Sequence, residues 1–177
     1  MRGMPRLSVV LLVLATAGCG YALAGRANTL PAYIKRIGVP MFTNHSDTPE
    51  LDRILTEAVR QELQGKGRYV IVQDTTGVDA VLTATVEPVA LSVASVTDTR
   101  QAQKYLITVR ASVEFKDLTN SKVLWTNPSL RVSDEYEVAG STTVGEPAAI
   151  FSQDQNALTR LARTFARSLV TSMLDQF

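Results

Sequence analysis

The clearest pattern of apolar and polar positions lies in residues 104–116. Apolar side chains occupy every second position there: Tyr105, Ile107, Val109, Ala111, Val113 and Phe115. From Thr108 to Lys116, polar or charged residues fill the positions between them. A period of two places the two sets on opposite faces of a strand. The pattern therefore predicts a strand in a sheet that has one buried face and one solvated face.

Two other segments repeat apolar residues with the spacing of a helix. In the first, Thr48 is expected to cap the helix, Pro49 to take its first position and Gly65 to end it. Its apolar stripe consists of Leu51, Ile54, Leu55, Ala58, Val59 and Leu63. The second helix is predicted from Pro147 to the end of the chain. Its apolar face consists of Leu158, Leu161, Ala162, Phe165, Leu169, Met173 and Phe177.

The remaining strands are predicted at residues 34–42, 69–72, 79–96 and 123–138. Pro88 indicates a bulge or kink in the third of these segments, and Asn127-Pro128 indicates a register break in the fourth. Residues 116–122 are predicted as the turn of an antiparallel hairpin. The first two strands flank a helix, so they are expected to run parallel.

Two helices with one apolar stripe each and a sheet with one buried face predict an α+β fold. We expect a two-layer sandwich, with two helices packed on one face of a four- to five-stranded mixed sheet. Residues 33–177 are expected to form a single domain, because their number suits one core.

The N-terminus predicts export and lipid anchoring. Arg2 and Arg6 precede an apolar run at residues 7–17, and small residues follow before Cys19, the single cysteine. These features are typical of a secretory signal peptide, and a cysteine at the cleavage site is typical of a bacterial lipobox. Residues 1–18 are thus predicted as a lipoprotein signal peptide and residues 19–32 as a tether. The alternative is an ordinary signal peptide, since Thr16 stands where a lipobox prefers Leu.

Charge and cysteine content exclude several classes of protein. The chain has 18 Lys and Arg against 17 Asp and Glu. Residues 1–18 hold two of the arginines and no acidic residue, so the mature chain carries 16 positive and 17 negative side chains, a net charge of −1. A nucleic-acid-binding protein normally has a strong basic excess. One cysteine cannot form a disulfide within the chain.

Residues suited to catalysis are scarce. His45 is the single histidine and lies in a polar loop, and no spacing pattern indicates a metal site. Gly65-Lys66-Gly67 lacks the spacing of a phosphate-binding loop. We predict a protein that is not an enzyme and that has no cofactor and no bound metal.

Three features are candidates for binding. Arg160, Arg163 and Arg167 form a basic stripe on the last helix, either for an anionic lipid headgroup or as a solvated helix face paired with acids such as Asp154 or Glu57. Residues 97–104 are expected to form a projecting loop that carries Arg100 and Lys104, either for binding or only as a solvated surface. Trp125 follows the hairpin turn and is expected in the core, with a place at an interface as the alternative.

The sequence resembles the lipopolysaccharide-assembly lipoproteins of the LptE type. The resemblance rests on Cys19-Gly20-Tyr21, on the run from Ile37 to Asn44 with its following helix, on Lys122-Val123-Leu124-Trp125 and on Tyr136-Glu137-Val138. The Ala-rich terminal helix also matches, so nearly all of the mature chain is covered.

The resemblance implies two helices on a small sheet and a place in the outer membrane, on its periplasmic side, with Gly20 favouring that destination. It implies a plug inside a large β-barrel, LptD, which inserts lipopolysaccharide into the outer leaflet. Lipopolysaccharide would be bound by basic residues, for which the candidates are Arg100, Lys104, Arg110 and Arg131. The alternatives are a lipoprotein that regulates a peptidoglycan synthase and an oligomeric secretion-channel subunit.

Overall fold

A computed structural model of the chain describes residues 30–96, 102–137 and 155–177. Within these residues, two helices pack against one mixed sheet of seven strands. The elements in chain order are β1 (Arg36–Gly38), β2 (Thr43–Asn44), α1 (Leu51–Gly65), β3 (Val70–Val72), β4 (Ala80–Val86), β5 (Ala90–Val96), β6 (Ala102–Asp117), β7 (Lys122–Glu137) and α2 (Gln155–Leu174). The predicted α+β fold class is confirmed, with more strands than the expected four to five.

Strand β6 is the centre of the sheet. Its C-terminal half pairs with β4 and its N-terminal half with β5, both antiparallel. Its other edge pairs along nearly its whole length with β7. The predicted alternation is confirmed, because all six apolar side chains from Tyr105 to Phe115 are buried. We call the face that carries these residues the inner face and the opposite one the outer face.

One extra strand arises where Pro88 divides a longer predicted segment, and the other, β2, lies just after a predicted segment. The segment predicted at 79–96 is interrupted at residues 87–89, around Pro88, so that it forms β4 and β5. The segment predicted at 34–42 contributes only β1, and β2 follows it. The parallel pairing of β1 with β3 is confirmed, and β1 also pairs in parallel with β4.

The hairpin of β6 and β7 contains the register break that Pro128 predicted. Val113 pairs with Asn127, whereas Ala111, only two residues away, pairs with Leu130. β7 therefore has an extra residue at this point, which is the geometry of a β-bulge. A second shift lies between Phe115 and Lys116.

The predicted cap of the first helix is wrong. The residue before α1 is Glu50, which has a left-handed backbone with φ of 59°, and no side chain caps the helix. Thr48 is instead buried, with 4% of its surface exposed, and its carbonyl oxygen accepts a hydrogen bond from the Asn44 side-chain amide at 3.0 Å. The turn before α1 is thus fixed by Asn44, upstream of where a cap would act. Gly65 is the last residue of the helix, and Gly67 has the left-handed backbone, with φ of 67°.

The core lies between the inner face and the two helices. α1 and α2 pack against each other, and α2 also packs against β7. The predicted apolar face of the second helix is confirmed, since Phe165, Leu169 and Met173 are fully buried. Each such side chain contributes about 1.5–3 kcal/mol through burial. The start predicted for this helix, Pro147, lies outside the described residues.

Polar contacts fix α1 to the loop after β1. The guanidinium of Arg60 is buried and donates two hydrogen bonds to the Val39 carbonyl oxygen, at 3.0 and 2.7 Å. Thr56 Oγ1 accepts a hydrogen bond from the Phe42 backbone N–H at 3.0 Å. A buried carbonyl or N–H without a partner is costly, so these contacts set the position of the helix as well as satisfying the loop.

A buried carboxylate, that of Asp117, accepts several hydrogen bonds at the hairpin end of the sheet. Asp117 is 1% exposed, and its Oδ2 accepts hydrogen bonds from the Tyr33 hydroxyl at 2.6 Å and the Asn120 side-chain amide at 2.8 Å. Its Oδ1 accepts from the backbone N–H groups of Thr119 and Asn120 at 2.8 and 3.1 Å. The hydrogen bond from Tyr33, with those from Asn120 and Thr119, lowers the pKa of Asp117 to about 2 although burial opposes the shift.

We predict that Gly38→Ala destabilises the fold. A Cβ at this position would lie 2.5 Å from the Asp74 carbonyl oxygen and 3.2 Å from Val78 Cγ2, so β1 would have to move. Overpacking of this kind costs about 1–3 kcal/mol. The matched control is Gly65→Ala, where a Cβ meets no atom within 4 Å and alanine favours the helix by about 0.5–1 kcal/mol. Relative to the unaltered chain, the urea midpoint should therefore fall for Gly38→Ala and rise for Gly65→Ala. Equal midpoints for the two variants would contradict the close approach of the Asp74 carbonyl oxygen to Gly38.

We also predict that Asp117 contributes to the pH dependence of stability. Its folded pKa lies below the unfolded value of about 3.9. The stabilisation is therefore fully present above pH of about 4 and is lost as the pH falls towards about 2. Asp117→Asn should lower the free energy of unfolding at pH 7 and flatten its fall over this acidic range. Tyr33→Phe keeps the carboxylate and should give an intermediate slope, measured by denaturant titration at each pH. Identical slopes for all three proteins would refute the assignment.

Candidate functional site

Two of the predicted binding residues lie side by side on the outer face of the sheet. Arg110 of β6 and Arg131 of β7 are directly paired across the two strands, and both side chains are exposed. Directly opposed residues of an antiparallel pair have Cβ atoms only about 4.5–5.5 Å apart. We call these two residues the arginine pair.

The arginine pair is an electrostatic cost to the isolated fold. Like charges that face each other directly across two strands destabilise a sheet. Within the described ranges, no carboxylate lies within 4.0 Å of either guanidinium to offset this repulsion. An anion bound between the two side chains would remove the repulsion, and the flat fork of a guanidinium matches the oxygens of a phosphate group.

Hydroxyl groups adjoin the arginine pair on the outer face. Thr108 and Ser133 form the neighbouring cross-strand pair, and their Oγ atoms are 2.8 Å apart. On the other side along β6, Ser112 is half-buried. The surface around the arginines thus offers hydroxyl groups that both donate and accept hydrogen bonds, the chemistry that a sugar or a phosphate ester requires.

The prediction that Lys104 lies in a projecting loop at residues 97–104 is wrong, because β6 already begins at Ala102. Lys104 lies on the outer face of this strand, apart from the arginine pair. It is six residues from Arg110 along β6, which is about 20 Å in a strand. Its Nζ lies 3.6 Å from Glu135 Oε2 on β7. The structure therefore brings Arg110 next to Arg131, whereas Lys104 is too far away to share a site with them. Arg100 and Cys19, the predicted site of lipidation, lie outside the described residues.

The predicted basic stripe on the last helix divides into two parts. Arg160 Nε lies 3.4 Å from Asp134 Oδ2, so this residue ties α2 to β7. Of the two partners predicted for the stripe, Glu57 pairs with Arg60 instead, at 3.7 Å, and Asp154 lies outside the described residues. The other two members of the stripe, Arg163 and Arg167, are exposed and line a cleft between the helices.

Two other residues considered in the sequence analysis, Trp125 and His45, do not form a site. Trp125 pairs with Phe115 and packs against the core, as expected. His45 is exposed, and its backbone N–H donates to the Val86 carbonyl oxygen at 2.9 Å. In the parts of the chain that the structure describes, no three His, Cys, Asp or Glu residues are grouped so as to hold a metal ion.

The two helices lack the character of membrane spans. Neither α1 nor α2, the helices of the described chain, is both long and apolar enough to cross a bilayer.

Solved structures of the same fold come from several bacteria. An uncharacterized lipoprotein B from Nitrosomonas europaea is 10% identical, with a TM-score of 0.53 over 85% of this chain and 88% of the other. A hypothetical protein from Chlamydia trachomatis is 8% identical, with a TM-score of 0.52 over 81% and 97% of the two chains. A PelC dodecamer from Paraburkholderia phytofirmans is 17% identical, with a TM-score of 0.50 over 82% and 92%. At these identities the likeness shows the fold alone.

Comparison by sequence identifies the family. No curated protein matches the chain. The family model described as LptE, lipopolysaccharide-assembly, matches residues 34–173, which include every helix and strand described above except the last residue of α2. Because the match spans most of the sequence, this chain belongs to the LptE family of lipopolysaccharide-assembly proteins.

Proposed function

We propose that this chain is an outer-membrane lipoprotein that supports a β-barrel translocon, and that its arginine pair binds phosphate groups of lipopolysaccharide. The observation that carries the proposal is the direct pairing of Arg110 with Arg131 on an exposed, hydroxyl-bearing face. Membership of the lipopolysaccharide-assembly family supplies the ligand class. The role needs no catalytic group, since it consists of binding and placing a substrate.

The arginine pair lies on a rigid part of the fold, which suits the recognition of a ligand. Both residues lie within β6 and β7, each next to buried residues such as Val109 and Val132 that fix the backbone. Binding residues on strands are held more precisely than those on loops. The backbone positions of both arginines are therefore fixed before a ligand binds, and only the two side chains have to be ordered on binding.

The other two predicted lipopolysaccharide-binding residues have subordinate roles in this proposal. Lys104 is engaged by Glu135, so its contribution to an anionic ligand is reduced by the competing carboxylate. Arg100, which lies outside the described residues, stays a proposed contact.

The proposal includes a membrane anchor and a partner. Lipidation of Cys19 would hold the chain at the periplasmic side of the outer membrane, since several acyl chains on one residue give durable anchoring. The partner would be a large barrel of the LptD type, whose polar interior suits a plug with a hydrophilic surface. The outer face meets that requirement, as Thr83, Glu114 and Arg110 are exposed on it.

We predict that the double variant Arg110→Gln, Arg131→Gln weakens binding of purified lipopolysaccharide by about tenfold or more. Each guanidinium that contacts a phosphate provides charge-assisted hydrogen bonds, which contribute about 1.5–3 kcal/mol. Affinity is measured on the full chain in a neutral detergent, at two salt concentrations, and the loss should be smaller at high salt.

The matched control is Lys116→Gln, Lys122→Gln. It removes the same number of charges from the same two strands, at the hairpin end, where both lysines are exposed. The control should bind lipopolysaccharide as the unaltered protein does. If both double variants lose affinity equally, net charge rather than the arginine pair governs binding, and the proposed site is wrong.

Lipidation is tested separately by the mass of the mature N-terminal peptide. We expect a peptide that begins at Cys19 and carries a diacylglyceryl group on sulfur. A free thiol at this position would show an ordinary signal peptide instead.

A further inference from the structure

The cleft between the two helices is the second place where arginines gather. It has a volume of about 230 Å³ and lies on the helix layer, away from the outer face of the sheet. Six residues line it: Ala58, Gln61 and Glu62 from α1, and Arg163, Ala166 and Arg167 from α2. The two alanines leave open space between the helices, and the long side chains border it.

The charges around this cleft leave a positive excess. Glu62 is its one acidic lining residue among those described, and Glu62 Oε1 already lies 3.1 Å from Nζ of Lys66, the residue that follows α1. Within residues 30–96, 102–137 and 155–177, Arg163 and Arg167 have no carboxylate within 4.0 Å. The lining of the cleft therefore keeps a positive excess, and its two arginines form no ion pair in the described structure.

The neighbouring Arg160 differs from the two arginines of the cleft, because it forms an ion pair with the sheet. It lies one turn before Arg163 on α2, and its guanidinium is paired with Asp134 of β7 at 3.4 Å. Arg163 and Arg167 instead stand four residues apart with like charge, a spacing that destabilises a helix. Their placement lowers the stability of α2, and no ion pair within the described fold compensates for it.

We propose that this cleft binds a phosphate group. Two guanidinium forks on successive turns suit the several oxygens of phosphate, with which each fork can form paired hydrogen bonds. The Gln61 side-chain amide donates one N–H to Glu57 Oε1 at 3.2 Å, and its second N–H can donate to a further oxygen of the phosphate. The phosphate belongs either to a free phosphate ester or to a phospholipid headgroup. The cleft and the arginine pair lie on different layers of the fold. A failure of phosphate binding at the cleft would therefore leave the proposed function unaffected, and the reverse also holds.

The test follows the arginine side chains directly by NMR. The full chain is held in dodecylmaltoside micelles, which carry no phosphate, and the Nε–H signals of Arg163 and Arg167 are assigned from Arg163→Gln and Arg167→Gln. Inorganic phosphate is titrated first. Phosphatidylglycerol is then added to fresh micelles as the lipid form of the same group. We expect both signals to move with saturation in at least one titration, and the titration in which they move identifies the source of the phosphate.

A double variant and a control give the affinity. With the backbone amides of Ala58 and Ala166 as reporters, Arg163→Gln combined with Arg167→Gln should weaken binding by about tenfold or more. The matched control is Arg160→Gln, which removes a charge from the same helix and should leave the affinity unchanged. Stationary signals in both titrations would overturn the proposal. So would a double variant that keeps the affinity of the unaltered chain.

Discussion

Strand β6 forms hydrogen-bonded ladders along both of its edges, and the row of apolar residues on its inner face forms the sheet side of the core. β4 and β5 share one edge and β7 takes the other, so a single strand joins most of the sheet. The helices cover its buried row, which ends at Phe115, and this residue is itself fully buried in the core. A one-residue slip of this strand would exchange its two faces, placing charged side chains in the core and apolar ones in water. The burial of one face therefore fixes the chemistry of the other.

This constraint explains why the arginine pair can be both costly and well placed. The core-facing neighbours of Arg110 and Arg131 are buried, and they hold the two backbones in register whatever the repulsion between the guanidinium groups. The helix layer repeats the arrangement in another geometry, where Arg163 and Arg167 are carried by a helix whose opposite face includes the fully buried Phe165. In both places the stability of the core supports exposed charges that do not stabilise the fold themselves.

The sequence predicted those features that depend on local periodicity. The alternation in β6 and the apolar stripes of both helices follow from burial, and burial leaves a regular pattern in the chain. Features that depend on the geometry of a turn or on contacts between strands were not predictable. The capping role expected of Thr48 failed because the helix begins two residues later than predicted, after Glu50, and Thr48 lies buried in the preceding turn. The pairing of Arg110 with Arg131 depends on two register shifts in the hairpin, of which only the one at Pro128 had a signal.

We propose that this chain works inside a lipopolysaccharide translocon, and this is tested most directly by identifying its partner in the membrane. The tagged full chain is purified from detergent-solubilised outer membranes, and the proteins that accompany it are identified and quantified by mass spectrometry. We expect a large β-barrel in stoichiometric amount. Recovery of a peptidoglycan synthase in its place, or of an oligomer of this chain alone, would contradict it.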